Sequence, residues 1–196
     1  MENRLKTFKL IILLLLSLTA LSQNPISESK KYLGNYLYKE LLFVSIKSQR
    51  LYHIKNNLII KEYIISSSKY GEGNKQGSNK TPLGLHKIKH KYGDKTPMNG
   101  KMIGRIFYGE LATIYYDNTK SKTDDITSRI FWLEGLEVNR NKGKGIDSYK
   151  RYIYIHGTSE EGRLGQPASH GCIRMKNKEV IDLYKLIEVG TLVLIL

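Results

Sequence analysis

The chain has 196 residues, with 32 Lys or Arg against 18 Asp or Glu, so its formal net charge is +14. This length accommodates one globular domain and a short leader and excludes two sizeable domains. The single cysteine, Cys172, excludes an internal disulfide, and a hydrophobic content of 40% is ordinary for a domain with a buried core.

The N-terminus has the pattern of an export signal. A positively charged stretch ends at Lys9, an unbroken apolar run covers residues 10–16, and Ala20 and Ser22 place small residues at −3 and −1 of a cleavage site. We therefore expect a signal peptide at residues 1–22 and an exported protein of the periplasm or cell envelope. The alternative is an uncleaved membrane anchor, although the apolar stretch is short for a span of about 20 residues.

The positive charge predicts a polyanionic partner. Cleavage of the signal removes a net charge of +2 (three basic residues against Glu2) and leaves about +12 (14 minus 2). An exported protein rarely meets nucleic acid, so we expect no nucleic-acid partner and favour a polyanionic cell wall or an acidic membrane surface. A solvated basic surface without a partner is the alternative interpretation.

The body of the chain predicts a mainly β fold. Residues 23–40 are polar and are expected to form a linker before a domain at residues 41–196. In that domain, short β-branched and apolar runs alternate with turns rich in Gly and Asn, among them Asn56-Asn57 as a hairpin turn. The main strand predictions lie at 42–46, 58–60, 63–66, 85–88, 103–108, 111–115, 129–133, 151–155 and 191–196.

Only one segment has a helical period. Asn177 is the predicted N-cap, and Val180, Leu183, Tyr184 and Ile187 fall on one face of the following turns. A late helix that packs on a β domain by this face is the expected arrangement.

Cys172 and His156 form the pattern that indicates chemistry. His156 is expected to end a strand, 16 positions before the cysteine (172 minus 156), and the glycine-containing loop between them allows the two to approach. A thiol that attacks a carbonyl needs a base within hydrogen-bond reach and a third group that orients the base. His156 suits the base. Because no acid adjoins it in the sequence, a backbone carbonyl, with that of Gly157 as a candidate, is expected to orient it.

The neighbours of Cys172 support the same interpretation. Gly171 permits an unusual backbone torsion, and a turn that continues into a helix would point the N–H groups of residues 170–172 at an oxyanion. Arg174 is expected to lower the pKa of the thiol, giving a thiolate at neutral pH, or to bind a substrate carboxylate. Taken singly, a lone cysteine is most often a small buried hydrophobe and a histidine at a strand end most often faces solvent.

A metal site is the alternative for the histidines. His86 and His90 have helical i, i+4 spacing, but they lie in a predicted strand, where this spacing separates them by about 13 Å. His156, His170 and Cys172 offer a possible zinc set. We expect neither a metal nor a cofactor.

These residues resemble the L,D-transpeptidase family, the YkuD-type catalytic domain. The family hallmark, a histidine in H-G-T followed by S-H-G-C-[IV]-R, is matched by His156-Gly157-Thr158 and by Ser169 to Arg174. The T-P-x-G turn and the closing G-T-x-V strand also have counterparts, beginning at Thr81 and Gly190. The resemblance extends from about Leu42 to Leu196.

The resemblance implies a β-sandwich-like catalytic domain, with a short helix after the cysteine, that remodels peptidoglycan. Cys172 would attack the carbonyl between the third residue and the terminal D-Ala of a tetrapeptide stem, with His156 as the base. The N–H groups of His170, Gly171 and Cys172 would hold the oxyanion. Ser169 and Arg174 are carried over as substrate-binding residues, and Gly157 is carried over with the catalytic set.

The acyl acceptor and three other functions stay open. The acyl group would pass to an amine of a second stem peptide, giving a 3→3 cross-link, or to an anchored wall or outer-membrane protein. An L,D-carboxypeptidase would use the same thiol with water as acceptor. A non-catalytic wall-binding protein and a sortase-like enzyme are the remaining alternatives. The stretch at residues 96–150 is longer than the compact family core and is expected to be a lid or a substrate-side insertion.

Overall fold

A computed structural model describes residues 24–196 of the chain. The contacts divide the chain into two units, which meet between Asn35 and Tyr36. The predicted signal peptide at residues 1–22 lies outside the described residues. Within residues 24–196, no helix combines the length and the apolar character needed to cross a membrane.

The first unit contains a helix where a linker was expected. Helix α1 covers Pro25–Leu33; the side chain of Asn24 caps its N-terminus by accepting a hydrogen bond from the Ile26 N–H at 3.0 Å. Proline at the first helical position and Gly34 with a φ of 55° at the C-terminal end complete a standard set of helix boundaries. The Asn-Pro pair therefore begins a helix here, and residues 25–33 are not an open linker.

The second unit is a closed β-sheet with one helix. The strands are β1 (Glu40–Ser45), β2 (Arg50–Lys55), β3 (Leu58–Ser66), β4 (Gly84–Tyr92), β5 (Gly100–Ile103), β6 (Ile106–Leu111), β7 (Ile126–Gly135), β8 (Tyr154–Thr158), β9 (Ile173–Met175) and β10 (Leu192–Ile195). Helix α2 covers Asn177–Leu186, and a 3₁₀ turn covers Glu161–Arg163. The prediction of a mainly β fold with a helix after the cysteine is confirmed.

The strand pairing closes the sheet on itself. The hydrogen-bonded order runs β4-β10-β1-β2-β3-β9-β8-β7, and β7 pairs again with β4. Outside this ring, β5 pairs with β7 and β6 pairs with β5. The pairs β1–β10 and β8–β9 are parallel. Closure gives each strand of the ring two neighbours, although β3 meets β9 only at Ile65 and Ser66.

The β2–β3 hairpin shows why the turn prediction succeeds. Asn56 and Asn57 both have positive φ, 50° and 60°, which is the conformation of a type I′ turn and is tolerated best by Asn and Gly. The right-handed twist of the two strands favours this turn, which sets the register Lys55–Leu58 at the hairpin end.

One apolar cluster joins the sheet to α2. Val180, Leu183 and Ile187 are fully buried in the same cluster as residues of the ring strands, as the predicted helix face requires. The helix begins at Asn177 rather than after it, with Lys176 as N-cap, so the N-cap prediction is wrong by one residue. The side chain of Asn177 is buried instead and donates to the Thr158 carbonyl at 2.8 Å.

The stretch at residues 96–150 is not an insertion as a whole. It contains β7, which is nearly continuously buried and pairs with β4, β5 and β8. Two predicted strands also shift: β6 ends at Leu111, so residues 112–115 are not a strand, and β8 begins at Tyr154. The second shift follows from Tyr152, whose φ of 57° breaks the extended conformation expected from residue 151.

Candidate active site

The cysteine lies at a turn that enters β9. Gly171 has a φ of 126°, so the expected unusual torsion is present, and a Cβ at this position would lie 3.4 Å from the Lys80 carbonyl oxygen. Residues 173–175 form β9 before α2 begins. The turn therefore does not continue directly into a helix, and the expectation of a helix N-terminus at the cysteine is wrong.

Hydrogen bonds from two polar side chains hold this turn. The Ser169 hydroxyl donates to the Cys172 carbonyl at 2.6 Å and accepts from the Gly171 N–H at 3.2 Å. The buried Thr81 hydroxyl donates to the Gly171 carbonyl at 3.1 Å. Thr81 thus connects the T-P-x-G turn to the cysteine turn, and the buried Ser169 side chain bonds within that turn. Its substrate-binding role stays a prediction.

The bonding of the turn changes the expected set of oxyanion donors. The Gly171 N–H is occupied by Ser169. Within residues 24–196, the N–H groups of His170 and Cys172 donate to no acceptor. These two donors, and not all three, are available for a developing negative charge.

The Cys172 thiol is held in its neutral form. It donates to the Tyr152 carbonyl at 3.4 Å and accepts from the Tyr154 N–H at 3.4 Å. Burial raises the pKa of the thiol to about 12, against the lowering influence of the Tyr154 N–H and of two nearby arginines. This direction is opposite to the lowered thiol pKa expected from the sequence, because desolvation outweighs the positive charges.

His156 is a buried imidazole whose ring orientation is fixed by a backbone carbonyl. It lies within β8 rather than at its end and is 2% exposed. Its Nδ1 is 2.7 Å from the Gly157 carbonyl oxygen, so Nδ1 carries the proton and Nε2 is left as the acceptor. Burial lowers the pKa of His156 to about 4. The prediction that the Gly157 carbonyl orients the base is confirmed.

The parallel pairing of β8 and β9 places Cys172 beside the strand that carries His156. Ile155 pairs with Ile173 and His156 with Arg174, so Cys172 follows one register step behind, beside Tyr154. In the resting state the thiol bonds to the Tyr152 carbonyl and not to His156. Catalytic hydrogen bonds are often absent before substrate binds, so this arrangement is compatible with proton transfer in a complex.

Arg174 is buried between two carboxylates. It is 1% exposed; its guanidinium donates to Glu160 at 2.8 Å and also pairs with Asp124. Glu160 is itself 3% exposed and also pairs with Arg163. These ion pairs engage both terminal nitrogens of Arg174 inside the protein, while its substrate-binding role stays a prediction.

Asp124 is a site residue that sequence reasoning missed. Its second carboxylate oxygen lies 2.7 Å from Nδ1 of His170, so the acid links Arg174 to the residue two positions before the cysteine. Partial burial raises the pKa of Asp124, but Arg174, His156 and the hydrogen bond from His170 outweigh it and hold the pKa below its usual value. The signal was the Asp124-Asp125 pair in a polar segment, which by itself indicates only a solvated loop.

A cluster of aromatic side chains packs against the cysteine. Trp132 stacks on Tyr149 at 4.1 Å and on Tyr152 at 5.5 Å between ring centroids, and the Arg105 guanidinium lies 4.6 Å from the Trp132 ring. Cys172 packs against the same cluster. Tyr152 therefore combines a strained φ, a 56% exposed ring and the carbonyl that holds the thiol.

His86 and His90, the histidines with i, i+4 spacing, have structural surroundings. His86 is buried, contacts the Gly84 carbonyl and the Ser148 hydroxyl, each at 2.9 Å, and has its pKa lowered by burial to about 4. His90 lies against Tyr92 and Trp132. In the described part of the chain, no group of three or more His, Cys, Asp or Glu side chains is arranged to hold a metal ion.

Comparison with known proteins agrees with this geometry. Residues 39–195 match the YkuD family, described as the L,D-transpeptidase catalytic domain. The crystal structure of an L,D-transpeptidase fragment from Xylanimonas cellulosilytica shares the fold, with a TM-score of 0.51 and 17% identity over 88% of this chain and 70% of that chain. The chain belongs to the L,D-transpeptidase catalytic-domain family.

Curated relatives match over shorter segments. YqjB of Bacillus subtilis, whose name assigns it to the L,D-transpeptidases, is 52% identical over 52 residues, which are 26% of this chain and 28% of YqjB. YkuD of the same organism is 41% identical over 65 residues, or 31% of this chain and 40% of YkuD. The aligned segments thus span less than half of these relatives.

Proposed function

We propose that this protein is an exported cysteine L,D-transpeptidase that acts on peptidoglycan tetrapeptide stems. The observation that carries the proposal is the pair of Cys172 and His156: a thiol at the turn before β9, and on the adjoining strand β8 a buried imidazole whose Nδ1–H is fixed by the Gly157 carbonyl. This is the arrangement that nucleophilic acyl transfer requires. Membership of the family supplies the class of substrate.

In the first half-reaction, the donor peptide places the carbonyl of its third residue at Sγ of Cys172. The thiol proton moves from its bond with the Tyr152 carbonyl to Nε2 of His156, and sulfur attacks the carbonyl carbon. The oxyanion accepts hydrogen bonds from the N–H groups of His170 and Cys172. The imidazolium then protonates the nitrogen of the departing D-Ala, the C–N bond breaks, and a thioester is left on the cysteine.

In the second half-reaction, an amine replaces D-Ala. His156 takes a proton from the attacking amine, the new amide bond forms, and the thiolate leaves and regains the proton. An amine of a second stem peptide gives a 3→3 cross-link, and a lysine of an anchored wall or outer-membrane protein gives attachment of that protein. Water in the same position gives tripeptide, which is the carboxypeptidase alternative.

Both reacting groups are neutral at rest, which assigns a role to the substrate. With a thiol pKa of about 12 and a histidine pKa of about 4, the thiolate–imidazolium pair is strongly disfavoured in the free protein. The donor peptide must displace the thiol from Tyr152 and stabilise the charge that develops. Such a thiol resists oxidation between turnovers, because the thiolate is the form that reacts.

We place the protein in the cell envelope. The basic and apolar N-terminal pattern ending near Ser22 and the net charge of +14 support export and attraction to a polyanionic wall. The stem peptides are the proposed partners, and no nucleic acid is required.

The proposal is tested by mass spectrometry of the products from disaccharide-tetrapeptide. The mature protein should give a 3→3 dimer and free D-Ala, and Cys172→Ala should give neither. Ser48→Ala, at an exposed position of the turn between β1 and β2, serves as the matched surface control and should give both products. Tripeptide without dimer would replace the transpeptidase with the carboxypeptidase, and the absence of any product would leave a wall-binding protein.

A further inference from the structure

A cavity opens beside the cysteine turn. Its volume is about 290 Å³, and the residues that line it include Gln76, Asn79, Lys150, Arg151, Tyr152 and His170. Tyr152 holds the thiol through its carbonyl, and His170 is two residues from the cysteine. The cavity therefore adjoins the point at which a donor peptide would be attacked.

The lining of the cavity is basic. Lys150 and Arg151 contribute two cations, Gln76 and Asn79 contribute amides, and none of the lining residues is acidic. A cavity with cationic and amide donors and no carboxylate is suited to a ligand that brings its own negative charge.

Arg151 is fixed in place without a carboxylate. Its guanidinium donates to the Gly73 carbonyl at 3.2 Å and to the Lys80 carbonyl at 2.6 Å. Among the described residues, no acidic side chain lies within ion-pair distance of it. Burial lowers the pKa of Arg151, the direction expected for a partly buried cation that lacks a counter-ion.

The anchoring also sets the position of Arg151 relative to the cysteine. The same Lys80 carbonyl oxygen that accepts from Arg151 lies 3.4 Å from the point where a Cβ on Gly171 would be. The Lys80 carbonyl therefore lies between the guanidinium and the cysteine turn. A guanidinium has five N–H donors, and those that do not bind Gly73 or Lys80 are left for a ligand.

We propose that Arg151 is a carboxylate-binding residue for the donor peptide, seated in the cavity beside Cys172. The inference rests on the proposed function, because the ligand is taken to be the acyl donor. A tetrapeptide stem with a diaminopimelate-type third residue offers two carboxylates near the scissile bond: the terminus of D-Ala and the side-chain carboxylate of the third residue. A pre-positioned guanidinium binds either in a bidentate manner and holds the peptide in register with the thiol.

The test compares three donor peptides on the mature protein. One has both carboxylates free, one has the terminal carboxylate amidated, and one has the side-chain carboxylate amidated. We expect kcat/KM for release of the fourth residue to fall on the order of 10- to 100-fold for one of the two amides, since a hydrogen bond to a charged group is lost. Which amide reacts slowly identifies the carboxylate that Arg151 binds.

Variants then assign the preference to Arg151. In Arg151→Gln the difference between the free peptide and the slow amide should disappear, whereas Arg151→Lys should retain part of it because the charge is kept without the fork. Lys144→Gln removes an exposed charge outside the cavity and should leave the preference unchanged. Circular dichroism of each variant checks the fold.

Three results would overturn the inference. Equal kcat/KM for all three peptides would show that no carboxylate is recognised. A preference that persists in Arg151→Gln would assign recognition to another residue. Failure of every peptide to acylate Cys172 would overturn the proposed function together with this inference, and is distinguished by the absence of any thioester.

Discussion

Two arginines lie near the cysteine turn, and their surroundings differ. Arg174 is buried and donates to two carboxylates, Glu160 and Asp124. Arg151 donates to two backbone carbonyls and has no acidic partner in the described part of the chain. Both lower the pKa of the Cys172 thiol, but burial outweighs them.

The difference shows how one residue type serves two purposes in one site. A guanidinium whose charge is neutralised inside the protein fixes the geometry around it and is not available to bind a ligand. A guanidinium anchored only by carbonyls keeps its charge for a ligand that enters the cavity. We call these two regions the Arg174 network and the Arg151 cavity.

The largest expected effect separates the two arginines by stability. Arg174→Met removes the buried cation shared by Glu160 and Asp124, which keep only Arg163 and His170 as partners, and we expect the free energy of unfolding to fall by about 3–5 kcal/mol. Arg151→Met loses two hydrogen bonds to carbonyls and should cost about 1–2 kcal/mol. Urea titration of both variants measures the values.

The control for this pair removes the charges together. Arg174→Met combined with Glu160→Gln and Asp124→Asn should recover part of the lost stability, because both carboxylate charges are removed with the cation, while Arg163 loses its partner Glu160. Equal losses for Arg174→Met and Arg151→Met would contradict the contrast between the network and the cavity.

The next effect tests whether the Arg174 network supports catalysis. Asp124→Asn weakens the contact to His170, which supplies one of the two free N–H donors at the turn. We expect kcat to fall on the order of 10-fold, as for a weakened oxyanion donor, with a smaller change in KM. Asp125→Asn, at the neighbouring acid, is the matched control; a similar loss in both variants would argue against a specific role for Asp124.

The pH dependence of stability should report the buried histidines. His156 and His86 have native pKa values of about 4 against an ordinary 6.5. Between pH 6.5 and 4 the unfolded chain binds protons that the native state does not, so stability falls as the pH falls, by about 1.4 kcal/mol per pH unit for each histidine. His86→Gln should remove one histidine's share of the slope, measured by urea titration across this range; an unchanged slope would mean that His86 is protonated in the native state.

The smallest effect concerns salt. The Arg151 cavity is open to solvent, so binding of a donor carboxylate there should weaken as ionic strength rises. We expect KM to increase roughly three-fold between about 0.05 and 0.5 M salt. The buried Arg174 network is shielded from counter-ions, and the free energy of unfolding attributable to it, from the Arg174→Met comparison, should change little. A KM independent of salt would count against the charged cavity.

The sequence predicts the parts of this site that rest on local chemistry. The torsion at Gly171, the hairpin turn at Asn56-Asn57 and the orientation of His156 by the Gly157 carbonyl all follow from one or two adjacent residues, and the structure has each of them. The β class and the helix face at Val180 follow from periodicity in the same way.

The remaining features depend on contacts between distant segments. Asp124 reaches Arg174 across 50 positions, and Arg151 reaches Gly73 across 78. No local pattern specifies such pairs. The raised pKa of the Cys172 thiol could not be predicted from the sequence either. A cation in the motif suggests a low thiol pKa, but burial, which depends on the whole fold, raises it.

The central claim is that Cys172 carries the acyl group. The most direct measurement is acid quenching of the mature protein within the first turnover on disaccharide-tetrapeptide, followed by peptide mapping. We expect an adduct of the disaccharide-tripeptide acyl group on the peptide that contains Cys172, released by hydroxylamine as a thioester and absent from Cys172→Ser as a thioester. Product formation without such an adduct, or an adduct on another residue, would contradict the assignment of Cys172 as the nucleophile.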